Sequence, residues 1–226
     1  MGCVPIYNLY YGKEMAERVD KIAWSGTLVA IQPRIRLLRS FDQRDHAYLG
    51  YSLRVDGIVG ESRCEFMVGI GKATQTAHSL QAGDAVEGLC SPVPNPKLEP
   101  VEFYKVSKFR VRIRGTETPL DSPPWGGRPP ALEVYRERGH RRLAPQTYDA
   151  NCMACIWGCR MAVEMIIDHW NPSQRRYRHE TFCYGPKSCK LYRAGPPRKV
   201  PGRRGMTWTE EDWVDEETTR HREPDE

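Results

Sequence analysis

Cys152, Cys155 and Cys159 form a C-x2-C-x3-C run, and Cys183 and Cys189 form a C-x5-C pair. Two-residue spacing lets successive thiolates turn toward one cation from a tight knuckle, and a second pair across a hairpin completes a tetrahedron. That is the chemistry of a structural zinc site. Five cysteines for four places leave one to spare, or point to a different group. A C-x2-C-x3-C run with a remote fourth cysteine also suits an iron–sulfur cluster, which Trp157, Phe182 and Tyr184 would screen from water. The bland alternative is buried thiols with no metal, and five of them spaced around one turn argue against it. Cys3, Cys64 and Cys90 stand alone at the ends of apolar strands and read as small core residues.

The elements that must position the cysteines follow from periodicity. Met161, Val163, Met165, Ile167 and His169 alternate with Ala162, Glu164, Ile166 and Asp168, the period of a strand. Asn171-Pro172-Ser173 is a turn, and the run Arg175 to Tyr184 can return antiparallel. With the turn centred near residues 172 and 173, position 162 falls opposite 183. Both cysteine groups then lie at the open end of one hairpin.

Upstream, residues 22 to 114 read as five strands. The first runs from Ser25 to Arg39, with Arg34-Ile35-Arg36-Leu37 at period 2. A second sets Tyr51, Leu53 and Val55 inward, and a third, Cys64 to Ile70, does the same with Phe66, Val68 and Ile70. A helical turn between Lys72 and Leu80 and a turn at Gln81-Ala82-Gly83-Asp84 lead into the strand Ala85 to Cys90. The fifth strand, Glu102 to Arg114, sets Phe103, Phe109, Val111 and Ile113 against Lys108, Arg110, Arg112 and Arg114. A long first strand from Trp24, a pair ending in Asp56-Gly57 and Gly69-Ile70-Gly71, a helical connector, and Leu80 to Gly88 entering strand four together resemble the OB-fold at superfamily level. The resemblance implies a five-stranded barrel and nucleic-acid binding as expectations. The fold class is therefore mainly β, an OB-like barrel followed by a zinc-ribbon-like or iron–sulfur hairpin module.

This divides the chain into an N-terminal segment (1–21), the barrel (22–114), a Pro/Gly-rich linker (115–148) with a short helix from Ala131 to Arg138, the cysteine module (149–205) and an acidic tail (206–226). No stretch approaches the roughly 18 apolar residues of a membrane helix, and no export signal precedes the fold, so the expected setting is the cytoplasm, without a membrane partner. Ile6 breaks the myristoylation pattern begun by Met1-Gly2.

The net charge of +5 conceals an asymmetry. Residues 209–226 hold nine Asp or Glu and two Arg, a charge of −7, which leaves +12 on the rest. A basic body points to a polyanion, DNA or RNA. Three patches could supply phosphate contacts: Lys108, Arg110, Arg112 and Arg114, with Arg34, Arg36 and Arg39 beside them if strands one and five are neighbours; Arg175, Arg176 and Arg178 at the hairpin turn; and Arg198, Lys199, Arg203 and Arg204 in an extended arm. Phe41, Tyr48 and Tyr51 are candidate stacking rings, with core packing an equal alternative for Tyr51. The acidic tail, carrying Trp208 and Trp213 at its start, can lie across the basic body or dock a protein partner.

Catalytic patterns are missing: there is no glycine-rich phosphate loop, no H-E-x-x-H helix and no G-x-S-x-G elbow. His169 and His179 flank the hairpin, and Asp42, Asp45 and His46 form a polar loop without a nucleophile. The expected function is binding, single-stranded or structured nucleic acid first. The alternatives are an interaction scaffold or, if the metal is iron, a redox component of an enzyme.

Overall fold

The computed structural model describes residues 21–116 and 122–223; Cys3 and the rest of residues 1–20 lie outside them. The chain is mainly β. Strands β1 (Ile22–Arg39), β2 (Arg44–Val59), β3 (Ser62–Ile70), β4 (Ala85–Pro92) and β5 (Phe103–Ile113) close into a ring, and helix α1 (Lys72–His78) connects β3 to β4. Neighbours around the ring run β1-β2-β3-β5-β4 and back to β1. All these pairs are antiparallel except β3–β5, which is parallel.

The alternation read from the sequence explains what fills the ring. Leu53, Val55, Phe66 and Val68 are essentially without exposed surface, and Tyr51 and Ile70 join them. Ile113 departs from the expected parity and is 69% exposed, because it lies at the very end of β5, opposite Ala85. Close approach of β1 and β2 requires glycine at one crossing, where a methyl group on Gly57 would sit 2.1 Å from the Ser25 carbonyl oxygen.

β1 is longer than the ring needs, and its excess builds the second half of the molecule. Its last four residues pair in parallel with β7 (Gly158–Ile166), Arg36 opposite Ala162 through Arg39 opposite Met165. β7 pairs with β8 (Arg175–Cys183), and β8 with β6 (Arg141–Arg142), so one eight-stranded sheet contains both halves. The proline-rich stretch contributes structure as well. Tyr51 donates its hydroxyl to the Pro130 carbonyl at 2.9 Å. Helix α2 (Leu132–Arg138) buries Leu132 and Tyr135, and the Tyr135 hydroxyl donates to Ile156 O at 2.7 Å.

The β7–β8 hairpin is in a different register from the expected one. Gly158 lies opposite Cys183 and Ala162 opposite His179. The turn is built from Asp168 rather than centred on Pro172: the amide of Trp170 donates to the Asp168 carboxylate, and that of Asn171 to the Asp168 carbonyl, at 3.0 and 3.1 Å. Asx-type bonds of this kind compete with strand pairing and close the turn earlier.

After a short helix α3 (Pro145–Thr147) and a π-helical turn (Tyr148–Cys152), the chain passes through β7 and β8 to a small hairpin, β9 (Lys199–Pro201) with β10 (Thr207–Thr209), and helix α4 (Trp213–Thr219). Residues 206–223 of the stretch read as an acidic tail are thus folded onto the body, burying Val214, Thr219 and Arg222. No helix among the described residues is long and apolar enough to cross a membrane.

Candidate metal centre and basic surfaces

Cys152 closes the π-helical turn, and Cys155 follows it in a knuckle whose amide donates back to the Cys152 carbonyl at 3.1 Å. Gln32, buried on β1, fixes this knuckle from outside. Its Nε2 donates to the carbonyls of both Cys152 and Cys155 at 2.8 Å, and its Oε1 accepts from the Tyr148 hydroxyl at 2.6 Å. Gly158 permits the approach, since a methyl group there would fall 2.5 Å from Cys152 O and 2.7 Å from Gln32 Nε2. Sequence reasoning missed Gln32, whose neighbours Ile31, Ile35 and Leu37 take the core face, and no periodicity signal marks it.

Cys183 arrives at the end of β8, opposite Gly158. Its sulfur accepts the Gly185 amide at 3.4 Å and faces the Arg141 guanidinium at 3.9 Å. Cys189 lies six residues on, half-buried, in a turn where its amide donates to Pro186 O at 3.2 Å. Cys152, Cys155 and Cys183 share one small buried cluster with Leu143 and Tyr148, walled by Trp125, Met153, Trp157 and Tyr192.

The electrostatics place the four thiols in one neighbourhood. Burial pushes the Cys152 thiol up to about 12, and Cys155, Cys183 and Cys189 add to the rise. Burial also raises Cys155, to about 11, against amides of Trp157, Trp125 and Gly158 that favour its thiolate. Cys183 is raised by burial too, opposed by Arg141 and the Gly185 amide. As the side chains stand they are neighbours rather than a closed tetrahedron: no three His, Cys, Asp or Glu side chains among the described residues converge closely enough to hold an ion.

Cys159 is turned away from this group. It is fully buried in the main core with Met161 and Val163, and its thiol donates to the Pro33 carbonyl at 3.4 Å. Opposed residues in an antiparallel pair share a face, so the Gly158–Cys183 pairing puts Cys183 on the knuckle side and Cys159, beside Phe182, on the core side. Cys90 is a buried free thiol; Cys64, half-buried against the core, is instead disulfide-bonded.

Many of the basic candidates are occupied within the fold. Arg34 and Arg36 converge on Glu99 at 2.9 and 2.6 Å. Arg112 meets Glu87 at 2.7 Å, and Arg114 meets the fully buried Asp84 at 3.0 Å. Arg175 pairs with Glu164. Arg39 is 1% exposed and sits between Glu180 at 3.3 Å and Glu210 at 2.7 Å. Glu180 also takes Arg178 at 2.6 Å and Arg198 at 2.7 Å. Burial alone would raise its carboxyl; the surrounding Arg39, Arg178 and Arg198 hold it below the ordinary carboxylate range. Arg203 approaches Asp168 only at 3.8 Å. Lys108, Arg110, Arg176, Lys199 and Arg204 have no carboxylate within ion-pair distance among the described residues. Lys108 and Arg110 border one open groove beside β1 and β4.

Of the stacking candidates, Tyr51 is a core residue, 2% exposed. Tyr48 is half-buried beneath the Arg136 guanidinium, 4.8 Å from its ring. Phe41 is 55% exposed. His169 approaches Asp42 at 3.6 Å. A histidine pair that sequence reasoning missed, half-buried His46 against buried His140, lies behind that loop. His46 and His140 have ring centres 4.6 Å apart, and burial first, then neighbouring Arg44 and Arg39, lowers His46 to about 4.

Comparison of the chain with protein-family models, with curated proteins and with solved structures finds no match.

Proposed function

We propose that this chain is a nucleic-acid-binding protein of the OB type that takes single strands, with its second half stapled by a zinc ion on Cys152, Cys155, Cys183 and Cys189. The observation that carries the reading is the strand order β1-β2-β3-β5-β4-β1 with a helix between β3 and β4. A closed five-stranded ring with that helix supports the OB reading, and OB-folds bind oligonucleotides and oligosaccharides; the step from fold to ligand class is an analogy. Unpaired cations favour the oligonucleotide.

For the metal, the donor set supports zinc. Four thiols lie in one neighbourhood, amides and a guanidinium face two of the sulfurs, and Gln32 locks the knuckle carbonyls, which is how outer partners orient thiolate ligands. A buried cluster of protonated thiols gains little by itself, whereas exchange of their protons for a divalent cation turns it into folding free energy. The scaffold alternative loses ground, because the acidic C-terminal segment spends Glu210, Asp212 and Asp215 on Arg39, Arg44 and Arg142 of its own body.

The test is fluorescence anisotropy of the full-length, metal-loaded chain with a labelled single-stranded oligonucleotide over a salt series. Three phosphate contacts from unpaired cations give a slope of log affinity against log salt of about −2. No binding at low salt, or affinity indifferent to salt, overturns the reading.

A further inference from the structure

Exposed apolar side chains are concentrated at one end of the molecule. Phe41, Trp170, Met206, Trp208 and Trp213 are 55%, 86%, 52%, 43% and 59% exposed. Four separate pieces of chain contribute them: the β1–β2 loop, the β7–β8 turn, the β9–β10 hairpin and the start of α4. Phe41 and Trp208 stack with ring centres 5.2 Å apart and planes 29° apart, and His169 meets Phe41 edge-on at 5.9 Å. Between this group and Trp170 opens a cleft of about 530 Å³, lined also by Ile167, Met206, Arg203 and Arg204. Its volume falls within the roughly 300–1,000 Å³ of ligand pockets. Contiguous aromatic exposure of this kind is uncommon on a surface that meets only water.

The chemistry of the rim selects the occupant. Asp168, the one carboxylate lining the cleft among the described residues, is only 14% exposed and faces Arg203. Arg204 has no carboxylate partner among the described residues and stands at the hairpin apex with φ 54°, a left-handed conformation that a non-glycine residue seldom holds. Arg176 and Lys199, exposed and unpaired, lie on the neighbouring strands. Flat rings facing open space with cations around them provide the two interactions a single strand needs, faces for its bases and positive charge for its phosphates.

We infer that this aromatic cleft, and not the β5 basic stripe, is where a single-stranded nucleic acid seats its bases. One base stacks on Trp170, a second reaches the Phe41–Trp208 pair, and the intervening phosphates meet Arg203 and Arg204. The inference rests on the nucleic-acid reading above and names the surface that carries it. A protein partner would fit the exposed apolar area but gives no role to the unpaired Arg204.

The experiment compares the full-length, metal-loaded chain with Trp170→Ala and with the double variant Arg203→Ala/Arg204→Ala, using a labelled oligothymidylate of twelve nucleotides over a salt series. Trp170 is so exposed that its removal leaves the melting temperature unchanged. Loss of one stacked base weakens affinity about 5- to 150-fold with the salt slope preserved. The double arginine variant flattens the slope by about 1.4. Wild-type affinity in Trp170→Ala, with the parent chain still binding, overturns the cleft as the base site and leaves the cleft to a protein partner. A parent chain that binds no oligonucleotide at low salt overturns the functional reading itself, and the cleft assignment with it.

Discussion

Glu180 is the residue whose loss should damage the fold most for the smallest change in shape. It is 5% exposed and compensates Arg39, Arg178 and Arg198 within 3.3 Å, while Glu210 supplies the only other carboxylate to Arg39 among the described residues. Glu180→Gln keeps the volume and leaves two deeply buried guanidinium groups short of an anion. Breaking one side of a buried ion pair costs about 3–5 kcal/mol. For a chain of this size that corresponds to a fall in melting temperature of roughly 6–20 °C. Urea denaturation and thermal melts of the two proteins measure it. The same carboxyl gives a sign in pH: held below its ordinary value, it contributes stability that is complete above about 4.3 and is lost as pH falls through the depressed folded value. In Glu180→Gln that acid-side loss should shrink. A variant within about 1 kcal/mol of the parent, with an unaltered acid limb, refutes the view that these arginines are structural and returns them to the candidate binding surface.

Three further outcomes follow from the same contacts. His46, lowered to about 4, and His140, also lowered by burial, are held neutral in the folded chain. The unfolded chain therefore binds more protons below about 6.5, and stability should fall by up to about 1.4 kcal/mol per pH unit for each as pH drops from 6.5 toward 4; replacing His46 with Gln should reduce that slope. Deleting residues 209–226 removes Glu210 and Asp215 from Arg39 and Arg142, so it should lower the melting temperature by several degrees; an unchanged melt means the segment only rests on the surface. On β5, Arg114→Ala should cost about 2 kcal/mol by stripping a charged partner from buried Asp84, whereas Arg110→Ala should leave the melt unchanged.

Strand alternation made most of the ring legible, because each strand buries one face and a one-residue slip would invert it. The same parity, followed further, identifies residues that charge and spacing misplace. Arg39 shares its face with Ile35 and Leu37, not with Arg34 and Arg36, and is buried as they are. Cys159 shares its face with Met161 and Val163, which assigns it to the core and leaves four cysteines as candidate ligands. Hairpin register was not legible, since Asp168 captures the turn through side-chain bonds that compete with the Asn-Pro-Ser signal. Nor was the docking of residues 206–223 onto the body, which depends on ion pairs between residues as far apart as Arg39 and Glu210. Those pairings also explain why a surplus of arginine overstates the positive surface: much of it balances carboxylates inside the fold.

Metal content of the purified chain tests the proposed four-thiol centre most directly, measured by elemental analysis with an absorbance spectrum on anaerobically prepared parent, Cys189→Ser and Cys159→Ala proteins. The expected result is about one zinc per colourless chain, retained in Cys159→Ala and lost in Cys189→Ser. Iron with sulfide in a brown protein, or zinc that survives loss of Cys189 and leaves with Cys159, contradicts the assignment.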